Sequence, residues 1–503
     1  MELEFERDVI VGCDPVAEVC LCQEETLESI VPDACPDILR IVDVYGQAAL
    51  LSWQAEEGMA VVNGLVHATI LYQPEEGEGL RRMEASVPFA CRAEAPGLTD
   101  RGIVLASPRL RSAEARALNP RKVLLRVDLA VDVAACQPSQ LQFCQRVSSG
   151  EDTICQKQKE CDHIYLFSVQ EKPFTFTENI RVQAGPAQVL AGRCSARCTE
   201  SRLIGNKLIL KGSADLDFLL QEPGGTLTTF HESLPISQVM EVNGAGEEST
   251  CQIGIEILQV RWEPEVTEDR SLELNLELLA QARIYARRPV TLLQDLYSTK
   301  FCMDVDREPF LLRRVEESGA RTQSVRDLLD TPEGVRGVVD CRVVMGPVVQ
   351  SRDGEELQLS TRAQLTVLYL DEQGSLRCAR KEIPVRCSFP CSGDTACFAQ
   401  SPTTSDLFAT PAAGGIEVRL SVEFLCRLER ETKTDTVVRA RVGAVRDDDH
   451  RRPSVVLRLA APGEELWDLA KSYGTTMEGI RQANGLEENS LPLGRMLLIP
   501  NCR

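Results

Sequence analysis

The chain has 503 residues, 43% of them hydrophobic and 26% charged, which excludes a disordered or fibrous protein and leaves room for three or four domains. Acidic residues number 76 against 55 basic, and the resulting net charge of −21 argues against nucleic acid or an anionic membrane as the main partner. Aromatics are only 5%, so the core must be mostly aliphatic.

The first residues, Met1-Glu2-Leu3-Glu4-Phe5-Glu6-Arg7, are acidic where an export signal would be basic and then apolar. No apolar run approaches the ~18 residues of a membrane-spanning helix. The expectation is a protein that stays in the cytoplasm where it is made. The chain carries 20 cysteines but no C-x-x-C pair. The tightest groups are Cys20-x-Cys22, Cys194-x3-Cys198 and Cys387-x3-Cys391-x5-Cys397. Without an export signal, reduced thiols are expected, some buried as small hydrophobes. A zinc site at Cys387, Cys391 and Cys397 lacks a fourth ligand and the short knuckle spacing.

The stretch Glu25 to Ile41 contains Val31-Pro32-Asp33-Ala34-Cys35-Pro36-Asp37-Ile38. Its two prolines and Asp37 predict an extended lead-in and a capped helical turn from Ile38. Next comes Val61 to Tyr72, an alternating β-branched run containing Gly64 and His67, then a turn from Pro74 to Gly79, then Val87-Pro88-Phe89. The pattern returns as Leu208 to Leu220, a turn at Glu222 to Gly225, and Leu234-Pro235-Ile236. It returns again as Leu357 to Tyr369, a turn at Asp371 to Gly374, and Ile383-Pro384-Val385. Gly64, Gly212 and Thr361 are equivalent positions, 148 and 149 residues apart. Val123 to Leu129 has counterparts near Leu272 to Leu276 and Ile416 to Leu420. A period near 150 is too long for a solenoid unit, so these are three whole domains.

Alternation of period two and short Gly- or Pro-containing turns predict strands and hairpins packed as sandwiches. The recurring Pro cannot donate to a ladder, which places it on an edge strand or at a bulge. Arg288 to Asp295 and Val325 to Asp330 read as short helices or linkers. The predicted domains are residues 1–140, 165–300 and 315–445, with a linker at 446–453. His450 follows Asp447-Asp448-Asp449 within that linker and reads as a solvated residue, not a metal ligand.

From Val455 the pattern changes to strand, helix, helix, strand over residues 454–502. Val455 to Leu459 is a strand, and Pro462-Gly463 a turn. Leu466, Trp467, Leu469 and Ala470 recur at helical spacing. Thr475-Thr476 caps a second helix that ends at Asn484-Gly485, and Leu497 to Pro500 closes as a strand.

The Pro32, Asp33, Pro36, Asp37 segment with Gly64, Tyr72 and Pro88 resembles the SPOCS domain of spore-coat proteins of endospore-forming bacteria. The other two copies are similar in their strands and lack the opening motif. The terminal module resembles LysM, on Pro462-Gly463, Leu466-Trp467, Leu469-Ala470, Tyr473 to Thr476, Ile480, Ala483 to Leu486, Leu493-Gly494 and Ile499-Pro500. The fold class expected is therefore mainly β: three tandem β-sandwich-like SPOCS repeats followed by a small βααβ LysM domain.

The LysM resemblance implies a shallow groove for N-acetylglucosamine chains. Its walls here would be Gly463, Glu464, Glu465, Leu466 and Trp467 on one side and Asn489, Ser490, Leu491 and Pro492 on the other. The family usually has Asp-Thr after the Gly, where this chain has Glu464-Glu465. Ionised side chains at that edge disfavour a neutral sugar and suit a basic protein surface. The tandem arrangement resembles coat morphogenetic proteins. It implies an adaptor in the mother-cell cytoplasm at the forespore surface, with the ATPase scaffold of the basal coat layer as partner. The rival reading is a LysM protein bound to peptidoglycan of the cortex or cell wall. No P-loop, His-Glu-x-x-His or Gly-x-Ser-x-Gly motif occurs, and the four histidines are scattered, so neither an enzyme nor a cofactor is expected.

Overall fold

The computed structural model describes residues 2–500 except 78, 151–152, 184, 247, 392–394, 400, 447–454, 462 and 488–495. Each repeat is built on a pair of very long antiparallel strands that frames shorter ones. The first contains β1 (Leu3–Ile30), β2 (Ile38–Glu56), β3 (Met59–Pro74), β4 (Arg81–Glu94), β5 (Ile103–Asn119) and β6 (Lys122–Ser149). The second contains β7 (Ile154–Arg181), β8 (Ala187–Ile204), β9 (Lys207–Gln221), β10 (Leu227–Glu241), β11 (Thr250–Trp262), β12 (Glu265–Val266) and β13 (Ser271–Ser298). The third contains β14 (Phe301–Asp330), β15 (Val335–Met345), β16 (Val349–Asp353), β17 (Glu356–Asp371), β18 (Leu376–Pro390), β19 (Thr395–Ala399), β20 (Thr403–Ala412) and β21 (Gly415–Val445). The terminal module comprises β22 (Val455–Leu459), α1 (Leu466–Tyr473), α2 (Met477–Asn484) and β23 (Met496–Pro500).

In the first repeat the sheet β2-β3-β4 faces the inner halves of β1, β6 and β5. Alternate apolar residues such as Leu50, Val62, Ile70, Tyr72, Leu125 and Leu129 fill the space between, as strand periodicity requires. The second and third repeats have separate cores of the same kind, around Leu210, Phe218 and Leu276, and around Leu359, Val367 and Phe424.

The repeats share one register. Gly64 pairs with Phe89, Gly212 with Ile236, and Thr361 with Val385, each partner lying one residue beyond the recurring Pro. The strands bearing Pro88, Pro235 and Pro384 are edge strands. A Cβ on Gly212 would stand 2.1 Å from the Arg197 carbonyl oxygen, and one on Gly64 2.5 Å from that of Ala49. In the third repeat the facing strand is interrupted between Met345 and Val349, and Thr361 fits, donating its hydroxyl to the Gly346 carbonyl at 2.8 Å.

A bulge also recurs at one place, between Ile41 and Asp43, Val189 and Ala191, and Val338 and Asp340. The extra residues, Val42, Leu190 and Val339, join Leu71, Leu219 and Leu368 and Leu80, Leu227 and Leu376 in one apolar cluster. Each trio occupies equivalent register positions, so the three sandwiches meet around a pseudo-threefold axis. Charged groups ring it. Arg342 pairs with Asp43 at 2.6 Å, Tyr45 donates to Asp340 at 2.7 Å, and Arg193 lies 3.6 Å from Asp340. The Arg342 guanidinium also stacks 4.2 Å from the centroid of the Tyr45 ring.

The outer halves of the long strands leave the sandwiches as three two-stranded antiparallel ribbons, β1 with β6, β7 with β13 and β14 with β21, that pack together into a stalk. About 14 residues per strand at ~3.3 Å each make it roughly 45 Å long. Ile10, Phe143, Cys161, Val290, Leu292, Phe310 and Leu312 fill its middle, and Val147, Leu293, Leu296 and Val437 its far end. His163 lies buried there, stacked on Tyr165, with its pKa lowered to about 4 by burial and by Arg313.

Several sequence expectations change. Ile38 begins a strand, not a helical turn, because Ile38, Ile41 and Val44 pair with β3 and pack inward. Arg288 to Asp295 and Val325 to Asp330 are strand, held by full ladders to β7 and β21. The limits proposed at residues 140, 165 and 315 fall within β6, β7 and β14, since the stalk strands run unbroken out of the sandwiches. Of the linker, Arg446 is described; its amide donates to Lys300 at 2.9 Å, and His450 lies outside the described residues.

Two stability measurements check this architecture. Gly212→Ala forces a backbone clash and should destabilise by ~1–3 kcal/mol in urea unfolding, as overpacking does, whereas Thr361→Ala loses one hydrogen bond, ~1 kcal/mol. Arg342→Ala leaves the fully buried Asp43 carboxylate with one guanidinium, that of Arg380 at 3.3 Å, in place of two and should cost ~1.5–3 kcal/mol; no measurable cost would show that the axis is not tightly closed.

Candidate functional site

The candidate site is the terminal module and the stalk end that holds it. Locally the module folds by ordinary rules. Glu465 is the extended N-cap of α1, and Gly474, at φ 67°, ends it. Thr476 caps α2, accepting from the Gly479 amide at 3.0 Å, and Gly485, at φ 61°, closes that helix. Asn484 ties α2 to β23: its amide nitrogen donates to the Ile480 and Leu498 carbonyls, and its carbonyl oxygen accepts from the Leu498 amide at 2.7 Å. Leu466, Trp467, Leu469, Ala470, Ile480, Leu497 and Ile499 form the core.

That core is completed by a residue from outside the module. Tyr297, near the end of β13, packs edge-on against Trp467 with centroids 4.9 Å apart and donates its hydroxyl to the Thr475 carbonyl at 2.7 Å. Asp295, two residues earlier, is the hub. It accepts from the Trp467 indole at 2.8 Å and from Lys471 at 2.7 and 2.9 Å, and it pairs with Arg307 of β14. Burial pushes the Asp295 carboxyl up, but the hydrogen bonds from Lys471, Trp467 and Arg307 outweigh it and hold the group below its ordinary range.

The proposed groove residues fall as follows. Gly463, at φ 83°, leads into α1. Glu464 is turned back onto its own module, pairing with Arg458 and accepting from the Ala461 amide at 2.9 Å. Glu465 pairs with Lys157 of the stalk. Leu466 and Trp467 are 1% and 4% exposed. Asn489, Ser490, Leu491 and Pro492 lie outside the described residues. Both glutamates are thus engaged within the chain, and Trp467 is a docking residue of the interior. The docking role of Asp295 and Tyr297 had no sequence signal, because Asp295 ends a stretch that read as helix or linker and Tyr297 lies just beyond it.

The signature residues are brought together at the opposite end of the first sandwich. Arg121 donates to the carbonyls of Val31, Pro32 and Cys35 and pairs with Asp33 at 3.3 Å and Asp37 at 3.0 Å. Tyr72 donates to the Pro36 carbonyl at 3.1 Å. Gly64 and Pro88 lie further along the sheet, at adjoining register positions. This is a fastened loop whose polar atoms satisfy one another.

Between the second and third repeats lies a cavity of about 210 Å³ lined by Arg193, Asp217, His231, Asp340 and Cys341, among others. Its polar groups are mutually paired, His231 to Asp217 at 2.8 Å and Arg193 to Asp217 at 2.9 Å. Among the described residues no three His, Cys, Asp or Glu side chains converge as a metal site, and cysteines such as Cys13, Cys136 and Cys194 are free thiols. No described helix is long and apolar enough to cross a membrane.

The Asp295 hub predicts an acid-sensitive docking. Its folded pKa is depressed, so its stabilisation is present above the unfolded value of 3.8 and is lost as pH falls through the folded value. Trp467 fluorescence should therefore shift to the red below about pH 4. Asp295→Ala should produce the same shift at pH 7, and a Lys471–Asp295 double-mutant cycle should couple by ~1.5–3 kcal/mol.

Comparison with known families gives two matches. The family described as SipL, SPOCS domain, matches residues 37–117 and 187–264, covering parts of the first and second repeats. The LysM domain family matches residues 461–500. Comparison with the curated proteins yields no match. Both matched families are binding domains without catalytic machinery, and they mark a sporulation protein with a spore-coat association and a peptidoglycan-binding type of module. The chain is SipL-like: SPOCS repeats followed by a C-terminal LysM domain.

Proposed function

We propose that this protein is a non-enzymatic adaptor of endospore coat assembly, linking the basal-layer ATPase scaffold to the forespore surface through protein–protein contacts. It would work in the mother-cell cytoplasm at the forespore surface and later lie within the coat. The observation that carries this reading is the docking of α1. Trp467 is buried against Tyr297 and Asp295, and Glu465 at the groove edge is paired with Lys157, so neither is offered to a sugar. A sugar hydroxyl brought to this edge would have to displace a charge-assisted pair, not fill an empty donor site. The large axis-centred body would then serve as a rigid carrier for the module.

A second reading, binding of peptidoglycan glycan, is favoured by the LysM match itself. The two are separated by presenting the full chain to polymers of the coat ATPase and to purified cortex peptidoglycan in sedimentation assays. The adaptor reading expects micromolar or tighter binding to the ATPase polymer and little retention on peptidoglycan. Retention on peptidoglycan alone would replace it with the glycan reading.

A further inference from the structure

The third repeat carries a pair of neighbouring thiols at a place where the other two do not. Register pairs Cys397 of β19 with Leu428, and Ala399 with Cys426 of β21. Cys397 and Cys426 are therefore diagonal neighbours on one face of adjacent antiparallel strands, and that face packs on the core of the repeat. The same two positions can be found in the other copies by counting from the pairs that open the long strands, Lys122 with Ile30, Ser271 with Arg181 and Gly415 with Asp330. They are Val104 and Val133 in the first repeat, and Cys251 and Ala282 in the second. Val133 and Ala282 are 1% and 0% exposed, so ordinary aliphatic residues fill this corner of a sandwich well. Packing alone gives no reason for two adjoining thiols.

Exposure and ionisation set Cys397 apart. It is half-buried on an edge strand, whereas Cys426 is 6% exposed. The hydrogen bond with the Cys426 thiol, helped by the charge of Arg352, holds Cys397 below the ordinary thiol range against burial and the nearby Cys391. Burial instead pushes Cys194, Cys341 and Cys378 up to about 12. The thiolate is the nucleophilic form, so an oxidant meets Cys397 ahead of these.

We propose that Cys397 and Cys426 are an oxidation site, at which a hydroperoxide converts the two thiols into an intrachain disulfide that fastens β19 to β21. The proposal goes beyond the adaptor reading and does not depend on it.

The chemistry closes with the hydroperoxide alone. The Cys397 thiolate attacks the outer oxygen, the O–O bond breaks, and the departing alkoxide takes back the proton that Cys397 gave up. Cys397 is left as the sulfenic acid. The Cys426 sulfur then attacks the Cys397 sulfur, forming the S–S bond and breaking the S–O bond, and hydroxide leaves with the Cys426 proton as water. Two electrons pass from the sulfurs to the peroxide. Diagonal neighbours stand further apart than opposed ones, so closure asks one strand to shift slightly. β19 is the strand that can: it has five residues and is paired on one side. The edge it belongs to is in two pieces, β19 and β20, where β5 and β11 run whole. Cys391 lies near Cys397, and Cys387 near Cys426, and these are the competing sulfurs.

The test treats the full chain with hydrogen peroxide, blocks the remaining thiols and maps disulfides by peptide mass spectrometry. The expected result is a Cys397–Cys426 disulfide that dithiothreitol reverses, with amide hydrogen exchange across residues 395–399 slowed about tenfold or more while it is closed. Before oxidation, iodoacetamide should alkylate Cys397 about tenfold or more faster than Cys194 at neutral pH. Cys426→Ala and Cys426→Val copy what the second and first repeats carry, and far-UV circular dichroism reports that they fold. In both, dimedone should trap the Cys397 sulfenic acid that the unaltered chain consumes. A disulfide from Cys397 to Cys391, a disulfide between chains, oxidation that spares Cys397, or unchanged exchange in residues 395–399 would each overturn the proposal. None of these readouts involves the scaffold or peptidoglycan, so the adaptor reading stands or falls separately.

Discussion

Everything in this molecule is positioned by the meeting of three bulged strands at one axis. An antiparallel sheet with one wet face would normally leave Val42, Leu190 and Val339 in solvent. The shared bulge re-aims each of them into a common cluster with Leu71, Leu219 and Leu368. Burying that cluster fixes the three sandwiches against each other. The surrounding Asp43, Arg342, Tyr45, Asp340 and Arg193 contacts then specify rotation about the axis, since charge pairs are directional where aliphatic contact is not. Once the sandwiches are fixed, the outer halves of their long strands have no choice but to converge.

The stalk is the consequence of that convergence. Isolated two-stranded ribbons are marginal in water, yet three of them wrapped on a shared apolar interior are not. His163 illustrates how dry that interior is: it stays neutral in ordinary conditions because charging it would require water that the packing excludes. The stalk end then offers Tyr297 and Asp295 to a module of about 50 residues whose own core is small. Tyr297 enlarges the core, while Asp295 satisfies three donors at once. The small domain is thereby held at one orientation, with its helix α1 inward and its sheet outward.

Much of this was legible in the residues and some was not. The repeat could be read because Gly64, Gly212 and Thr361 keep their distance from a proline that marks the neighbouring edge strand. The terminal module was legible because its caps and turns, Gly474, Thr476 and Gly485, are local features. The stalk was missed for a physical reason. Arg288 to Asp295 mixes charged and apolar residues without clean alternation, because strands in a bundle of three ribbons face different neighbours along their length. The helical turn expected at Ile38 failed because Asp37 serves Arg121 instead of capping. At the groove, Glu464 and Glu465 read as free charges, since nothing local announces that Arg458 and a lysine some 300 residues away will take them.

The axis has one more consequence, which concerns how such a body can change. Tyr45, Arg193 and Arg342 stand at one register position in the three copies, and Asp43, Ala191 and Asp340 at another. In a trimer assembled from separate identical chains, any substitution there would appear three times, and three arginines or three aspartates would confront each other across a narrow space. Joining the copies in one polypeptide removes that symmetry constraint. Each position near the axis is free to drift alone, so complementary partners can replace repelling triplets. The same freedom lets a single copy lose its glycine and break its strand, as the third has at Thr361, without the other two having to follow.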